Sequence, residues 1–413
     1  MSSPLNRRRA LQLAAASLAT AGLGGLSGRL YAAPADGPRF LLVFLRGGYD
    51  ATNVLIPYAS SFYYEARPTI AIAAPAAGRP GESAGAQALD ADWALAPALR
   101  DTIGALYRRR QAAFVPFAGT EDLSRSHFET QDSIELGQPR GAVRDYHSGF
   151  MARLADTLRR SGDAAPAMAF SDSLPLSFSG PTPVPNMSLR GEERDPVDER
   201  EARILRGMYA GRPLQSALTS GLAVRAQVAQ TLSALDEEMR AASRNAIDTR
   251  GFELQGERIA RLMQERYRIG FVDVGGWDTH VNQGAAQGQL ATHLAALGRG
   301  LDAYAGALGA DWRNTVVVVL SEFGRTFREN GGRGTDHGHG TVYWVLGGGI
   351  DGGRIAGAQQ RVARETLFQD RDYPVLNDYR AVLGGLFQAL WGLTRARCAQ
   401  VFAQTTPLDL RLV

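Results

Sequence analysis

The run TVVVVLS, residues 315–321, constrains this chain more than any other stretch. Its apolar side chains point alternately to two sides, so a strand here must be buried on both faces. Such a strand belongs inside a mainly parallel sheet with helices above and below. Other stretches agree. RFLLVFL (39–45) is a short apolar run that ends at Arg46-Gly47-Gly48 and reads as a second buried strand feeding a glycine loop. AAFVPF (112–117), RIGFVDV (268–274) and VYWVLGGG (342–349) read as further strands. WALAPALRDTIGALYRRR (93–110), QLATHLAALGRGLDAYAGALG (289–309) and LNDYRAVLGGLFQALWGL (376–393) have helical spacing. A helix is expected from Ser126, with Gly137 as its stop. Residues 170–195, rich in Ser, Pro and Gly, read as a loop, and about 195–267 as a helical insertion with almost no strand signal. Alternating strands and helices predict a three-layer α/β sandwich spanning 37–413.

In open sheets of this kind, ligands gather beyond the carboxyl ends of the strands. Those positions hold an unusual set of side chains. Asp50 follows the first strand, and Ser124, Ser126 and His127 follow the second. Asp278 and His280 follow 268–274 in GGWDTH. Glu322 follows 315–321 directly, and Asp336, His337 and His339 come shortly after in GTDHGHG. Crowded acids and imidazoles are costly unless something cationic holds them. Residues two apart in an extended segment face the same way, so Asp278/His280 and His337/His339 are each expected to reach one ion.

Asp50, Asp278, His280, Glu322, Asp336, His337 and His339 are thus the candidate metal ligands. Mixed carboxylate and imidazole donors favour Zn²⁺, with Mn²⁺, Fe²⁺ or Mg²⁺ as alternatives. The set is too large for one tetrahedral ion and suits two ions roughly 4 Å apart, an arrangement that fits displacement at phosphorus or a similar centre. A bland alternative has Asp278 capping a turn and His280 as a hydrogen-bonded core histidine. His147 and His293 sit in helical patterns and read as surface or core residues. Ser126 reads either as a helix N-cap or as a nucleophile at a helix N-terminus, with Ser124, Thr52 or water as alternatives. Arg46, Arg125 and Arg325, beside these acids, are expected to clamp a tetrahedral anion. No G-x-S-x-G elbow, phosphate-binding G-K-[ST] loop or cysteine cluster occurs.

The first 33 residues carry Arg7, Arg8 and Arg9 and a weakly apolar Ala/Gly-rich stretch, and LYAAPA supplies small residues for cleavage near Ala32 or Ala33. They read as a cleaved signal peptide of the twin-arginine type, recognised by that translocase and delivering the chain to the periplasm or beyond. The apolar stretch is short and glycine-broken for a bilayer span, so no membrane anchor is expected after cleavage. The formal charge is +3, and removing the four arginines of residues 1–33 leaves −1. A basic patch for nucleic acid is therefore not expected. The chain has no lysine, and its single cysteine, Cys398, excludes an internal disulfide.

Taken together, LRGGYDATN, SRSHFE, GGWDTH, SEFGRTFRENGGRGTDHGHG and the arginine-led N-terminus resemble an uncharacterised family of exported bacterial proteins within the alkaline phosphatase and sulfatase superfamily. The resemblance implies an alkaline phosphatase-like fold. It implies metal ligands at Asp50 and at Asp278 with His280, a nucleophile near Ser126, and hydrolysis of a small anionic phosphate or sulfate ester. Asp-His stands 14 residues beyond Glu322, which leaves Glu322 and Asp336 as competing ligands at that step. Cys398 sits in no sulfatase-like motif. The alternative is an exported binding or assembly protein that keeps the fold without catalysis.

Overall fold

A computed structural model describes residues 37–75, 85–163, 165–187, 199–223 and 252–413. Residues 1–33, expected from the sequence to be a signal peptide, lie outside the described residues. The main-sheet strands, numbered along the chain, are β1 (Arg39–Leu45), β2 (Ala112–Gly119), β3 (Ala167–Phe170), β4 (Ile269–Val274), β5 (Thr315–Ser321), β6 (Thr341–Leu346), β7 (Arg354–Ile355) and β8 (Asn377–Asp378). Their order is β7-β2-β6-β5-β1-β4-β3, with β8 also pairing with β2. The β1–β4, β1–β5 and β3–β4 pairs are parallel, as are the pairs of β2 with β7 and β8. Only β6 runs the other way, antiparallel to both β5 and β2. The cause is the connection: no helix crosses the sheet between β5 and β6, so the chain turns at the carboxyl edge of β5 and re-enters there.

The valine run does what its composition requires. Val317 and Val319 lie in one apolar core, while Val316, Val318 and Leu320 lie in the other. β1 divides the same way, with Leu41, Val43 and Leu45 on one face and Phe40, Leu42 and Phe44 on the other. Each of these valines contributes about 1.5–3 kcal/mol relative to exposure.

Helices close both faces. On the second core lie α1 (His127–Leu136), through Ile134, and α2 (Phe150–Arg160), α5 (Tyr379–Trp391) and α6 (Arg395–Val401). On the first lie α3 (Phe252–Glu265) and α4 (Gln289–Leu308). α3 falls within the stretch expected as a helical insertion, yet it packs tightly on α4. A Cβ at Gly256 would lie 2.2 Å from the Gly300 carbonyl oxygen. That stretch also contributes a helix at Glu199–Tyr209, and 224–251 lie outside the described residues.

Among the strands and helices expected from sequence, β1, β5 and α4 agree within a residue. The stretch 93–110 forms a short strand at Ala94–Leu95 and a helix only at Ile103–Arg108. No helix among the described residues is long and apolar enough to cross a membrane.

Candidate metal centre

The carboxyl ends of β1, β2, β4 and β5 and the start of β6 meet at one edge of the sheet, and each brings residues there. His127 opens α1, whose axis begins just past the loop after β2, and Gln131 lies one turn further on the same face. Glu322 is the first residue after β5. Asp278 and His280 lie in the loop after β4, and His337 lies in the loop that precedes β6. Gly47, after β1, holds φ +124° and packs so closely on the loop after β4 that a Cβ would lie 2.8 Å from the Asp278 nitrogen. Only glycine fits both constraints.

Four side chains converge. His127, Asp278 and His337 each offer one donor atom, all within 4.8 Å of one another. Asp278 Oδ1 lies 3.6 Å from His127 Nε2, 3.4 Å from His337 Nε2 and 2.9 Å from His280 Nε2. The Nε2 atoms of His280 and His337 are 3.1 Å apart.

The opposite ring nitrogens fix which atoms carry lone pairs. His127 Nδ1 donates to Glu322 Oε1 at 2.7 Å. His337 Nδ1 donates to the Arg125 carbonyl at 2.9 Å. His280 Nδ1 faces Asp336 Oδ1 at 3.3 Å. The acceptors at Nδ1 are the nearer ones for His127 and His337, so in their neutral rings Nε2 carries the lone pair, whereas His280 has a carboxylate oxygen on each side, the nearer at Nε2. The Nε2 atoms of His127 and His337 thus face Asp278 Oδ1, which also accepts from Arg325, with His280 Nε2 beside it. Nothing among the described residues satisfies His127 Nε2, a buried atom with no hydrogen-bond partner.

A divalent cation fits this set. Tetrahedral bonds of about 2.0–2.1 Å place ligand atoms roughly 3.3–3.4 Å apart; the donor atoms of His127, Asp278 and His337 lie within 4.8 Å of one another, and His280 Nε2 lies 2.9 Å from Asp278 Oδ1 and 3.1 Å from His337 Nε2. Imidazoles oriented by a carboxylate or a carbonyl on the far nitrogen are the usual surroundings of a metal-binding histidine. The ring of Phe323 lies 4.9 Å from that of His127 and 5.1 Å from that of His337, an apolar wall beside the donors.

The electrostatics are graded. The hydrogen bond to Glu322 raises the His127 pKa above its ordinary value against the effect of burial. Burial, with the neighbouring cations, lowers that of His337. Burial works to raise the Asp278 pKa, but the Arg325 hydrogen bond and charge outweigh it and leave the carboxylate more acidic than usual. The Asn330 hydrogen bond lowers the Asp336 pKa.

Several residues expected at the site are held elsewhere. Glu322, fully buried, accepts at Oε1 from the Gly47 N–H (2.8 Å), Gln131 (2.9 Å) and His127, and at Oε2 from Ser321 (2.8 Å). It meets His127 at Nδ1, on the far side of the ring from Nε2 and Asp278, so it backs His127 instead of standing in the ligand set. Asp50, also fully buried, has both oxygens bound by Arg67 and accepts from Gln283 at 2.6 Å. It is one half of an internal ion pair, and sequence reasoning had no view of the other half. His339 turns away at a bend, stacks on Phe368 with ring centres 5.1 Å apart, and is driven by burial to a pKa of about 4. Asp336 sits behind His280.

The arginines also differ from expectation. Arg325 spends its donors on the carbonyls of Gly47, Gly48, Trp277 and Thr335 and on Asp278, so it ties the strand-end loops together. Arg46 is paired with Asp273 (2.8 Å) and Glu135 (2.9 Å). Ser126 occupies the N-cap position of α1, but its side chain makes no capping bond. His127 belongs to this cluster but not to the ligand set expected from the sequence. The signal was present, since SRSHFE sets it first in a helix directly after a strand end, but the neighbouring hydroxyls drew the reading.

The fold and the site define a three-layer α/β protein with a histidine–aspartate cluster at the carboxyl edge of its sheet whose donor atoms are close enough together for one cation. The chain belongs to the family described as "Protein of unknown function (DUF1501)", whose model matches residues 38–404. No curated protein matches the sequence. Among solved structures, Ps i-CgsB is similar at 10% identity, over 91% of this chain and 76% of that one, with TM-scores of 0.36 alone and 0.32 in complex with k-i-k-neocarrahexaose. A protein in the alkaline phosphatase superfamily from Vibrio parahaemolyticus is similar at 10% identity, over 76% of this chain and 62% of that one, with a TM-score of 0.31.

Proposed function

We propose that this chain is an exported hydrolase of phosphate or sulfate esters that works with one divalent cation, Zn²⁺ by preference, held by His127, Asp278, His280 and His337. The observation that carries the reading is the convergence of three imidazole Nε2 atoms on Asp278 Oδ1 with no internal donor to satisfy His127 Nε2. One ion replaces the two suggested by the sequence, because Asp50, Glu322 and His339 are engaged elsewhere. Lewis acidity toward an ester oxygen or a water is what such an ion supplies when bound.

The chain's own residues do the rest. Glu322 and the Arg125 carbonyl hold His127 and His337 with their Nε2 atoms toward the centre. Arg325 keeps Asp278 ionised and fixed. The first-turn N–H groups of α1, which the Ser126 side chain does not cap, begin at His127 and offer donors to a tetrahedral anion. Ser126, next to His127, is the side-chain nucleophile this reading admits, and water is the other. Export by the twin-arginine route rests on the arginine-led N-terminus alone.

One observation favours a second reading, a cation-binding protein without turnover. Arg46, Arg125 and Arg325, the expected anion clamps, are all committed to internal partners. A screen of phosphate monoesters, phosphate diesters and sulfate esters against the metal-loaded protein separates the two. Hydrolysis that is lost on chelation and in Asp278→Ala and His337→Ala supports the hydrolase. A protein that binds the ion and cleaves none of the three classes supports the second reading.

A further inference from the structure

We infer that Asp372 is a positioning residue for the cation centre, acting through Arg125 on the ring of His337; the inference rests on the cation reading given above. Asp372 touches none of the four converging side chains by any described bond. It is fully buried, and its Oδ2 accepts from Arg125 Nε at 3.0 Å and from Nη2 at 2.6 Å. Gln369 Oε1 accepts from the same Nη2 at 2.8 Å. The backbone carbonyl of that same Arg125 receives His337 Nδ1–H. One residue thus links a buried carboxylate to the nitrogen that sets the tautomer of a ligand.

Two further features make this a clamp. Arg125 holds φ +53°, a left-handed conformation that an arginine adopts only at a cost and only when its surroundings impose it. The side-chain fork to Asp372 and Gln369 is the constraint available. The loop that supplies it is itself tightly closed. Phe368 N–H donates to the Asp372 carbonyl at 2.8 Å, Phe327 N–H donates to the Arg371 carbonyl at 2.9 Å, and Gln369 and Asp370 both hold positive φ. Arg371 in this loop donates through Nη2 to the His337 carbonyl at 2.9 Å. Residues 368–372 therefore grip His337 twice, at its own backbone and, through Arg125, at its ring.

The other carboxylate oxygen, Oδ1, has no hydrogen bond and faces Arg371 Nε at 3.6 Å, so the carboxylate spends its hydrogen bonds on Arg125. Its geometry is explained by the carbonyl it aims. Without the fork, Arg125 relaxes toward ordinary backbone angles, its carbonyl turns, and His337 loses the acceptor that keeps Nε2 unprotonated toward the centre.

The test uses the full folded protein and two readouts. The first is the His337 tautomer by ¹⁵N NMR of metal-free protein above the imidazole titration range, assigned by loss of the signal in His337→Gln. The second is Zn²⁺ affinity by competition with a chromophoric chelator. The expected result for Asp372→Asn is loss of the pure Nδ1–H tautomer and a Zn²⁺ affinity lower by about 10–100-fold, the usual effect of removing an outer partner of a ligand. The paired variant Arg125→Met/Asp372→Leu removes both charges at similar volume, a change that cores commonly tolerate, and carries the same expectations if Asp372→Asn does not fold. A folded variant that keeps the Nδ1–H tautomer and binds Zn²⁺ within about twofold of the parent overturns the clamp. A parent protein that binds no Zn²⁺ overturns the cation reading, and the tautomer then decides on the clamp separately.

Discussion

His127 Nδ1 stands 2.7 Å from Glu322 Oε1, a carboxylate that is wholly buried and that also takes hydrogen bonds from Gly47, Gln131 and Ser321. Burial alone would make Glu322 harder to ionise. The bonds from His127, Gln131 and Ser321 outweigh it and hold its pKa below the ordinary value. A charged, fully bonded acid behind an imidazole turns the free lone pair of that imidazole outward and makes it a better donor to a cation.

Glu322→Gln keeps the shape and removes the charge. Zn²⁺ affinity is expected to fall by about 10–100-fold with the ion still able to bind, whereas His127→Ala removes a ligand outright. Chelator competition on both variants checks the order. Equal affinity in Glu322→Gln and the parent would show that Glu322 is only a packing element.

Asp50 yields a prediction opposite to the one its sequence position invites. Arg67 and Asp50 are both completely buried and bonded to each other. Removing one partner leaves an uncompensated charge, a loss of about 3–5 kcal/mol. Asp50→Ala is expected to lower the unfolding midpoint sharply, while the protein that remains folded keeps its full metal content. Denaturant melts with metal analysis on the same sample check both halves.

Legibility in the sequence followed physical range. β1 and β5 stood out because burial on both faces leaves an unbroken apolar run, and α4 because its 3.6-residue pattern is long. The reversal of β6 was hidden, since a run of apolar residues carries no direction. Asp278, His280 and His337 were visible because glycines flank them directly after or before strands. The fate of Asp50 depended on Arg67 and Gln283, the latter 233 positions away, which no local pattern announces. Arg46 and Arg325 looked like anion clamps because arginine beside acids usually does. Their real partners, acids at one and mostly carbonyls at the other, come together only when the loops fold.

His339 gives the protein a pH dependence separate from the cation. Burial holds this imidazole at a pKa of about 4 against an ordinary 6.5, so the unfolded chain takes up its proton first. Stability from this residue is complete above about pH 6.5 and is lost as the pH falls toward 4, by up to about 3 kcal/mol. In metal-free protein, His339→Gln is expected to flatten the stability profile between those limits. An unchanged slope would mean that His339 is not buried in its neutral form.

Ser126→Ala separates the two nucleophiles of the hydrolase reading. Metal content is expected to stay at the parent value, because the Ser126 side chain is no part of the donor set. If an ester is cleaved, a rate in this variant lower by two or more orders of magnitude assigns the hydroxyl as nucleophile, and a rate near that of the parent assigns water.

The central claim is that His127, Asp278, His280 and His337 together hold a divalent cation. Its most direct test is elemental analysis of folded protein dialysed against Zn²⁺ and then desalted, for the parent and for His127→Ala, Asp278→Ala and His337→Ala. The account predicts about one equivalent of zinc in the parent, from the donor number of a single tetrahedral site, and little or none in the three variants. A folded parent that retains no metal, or variants that retain as much as the parent, would contradict it.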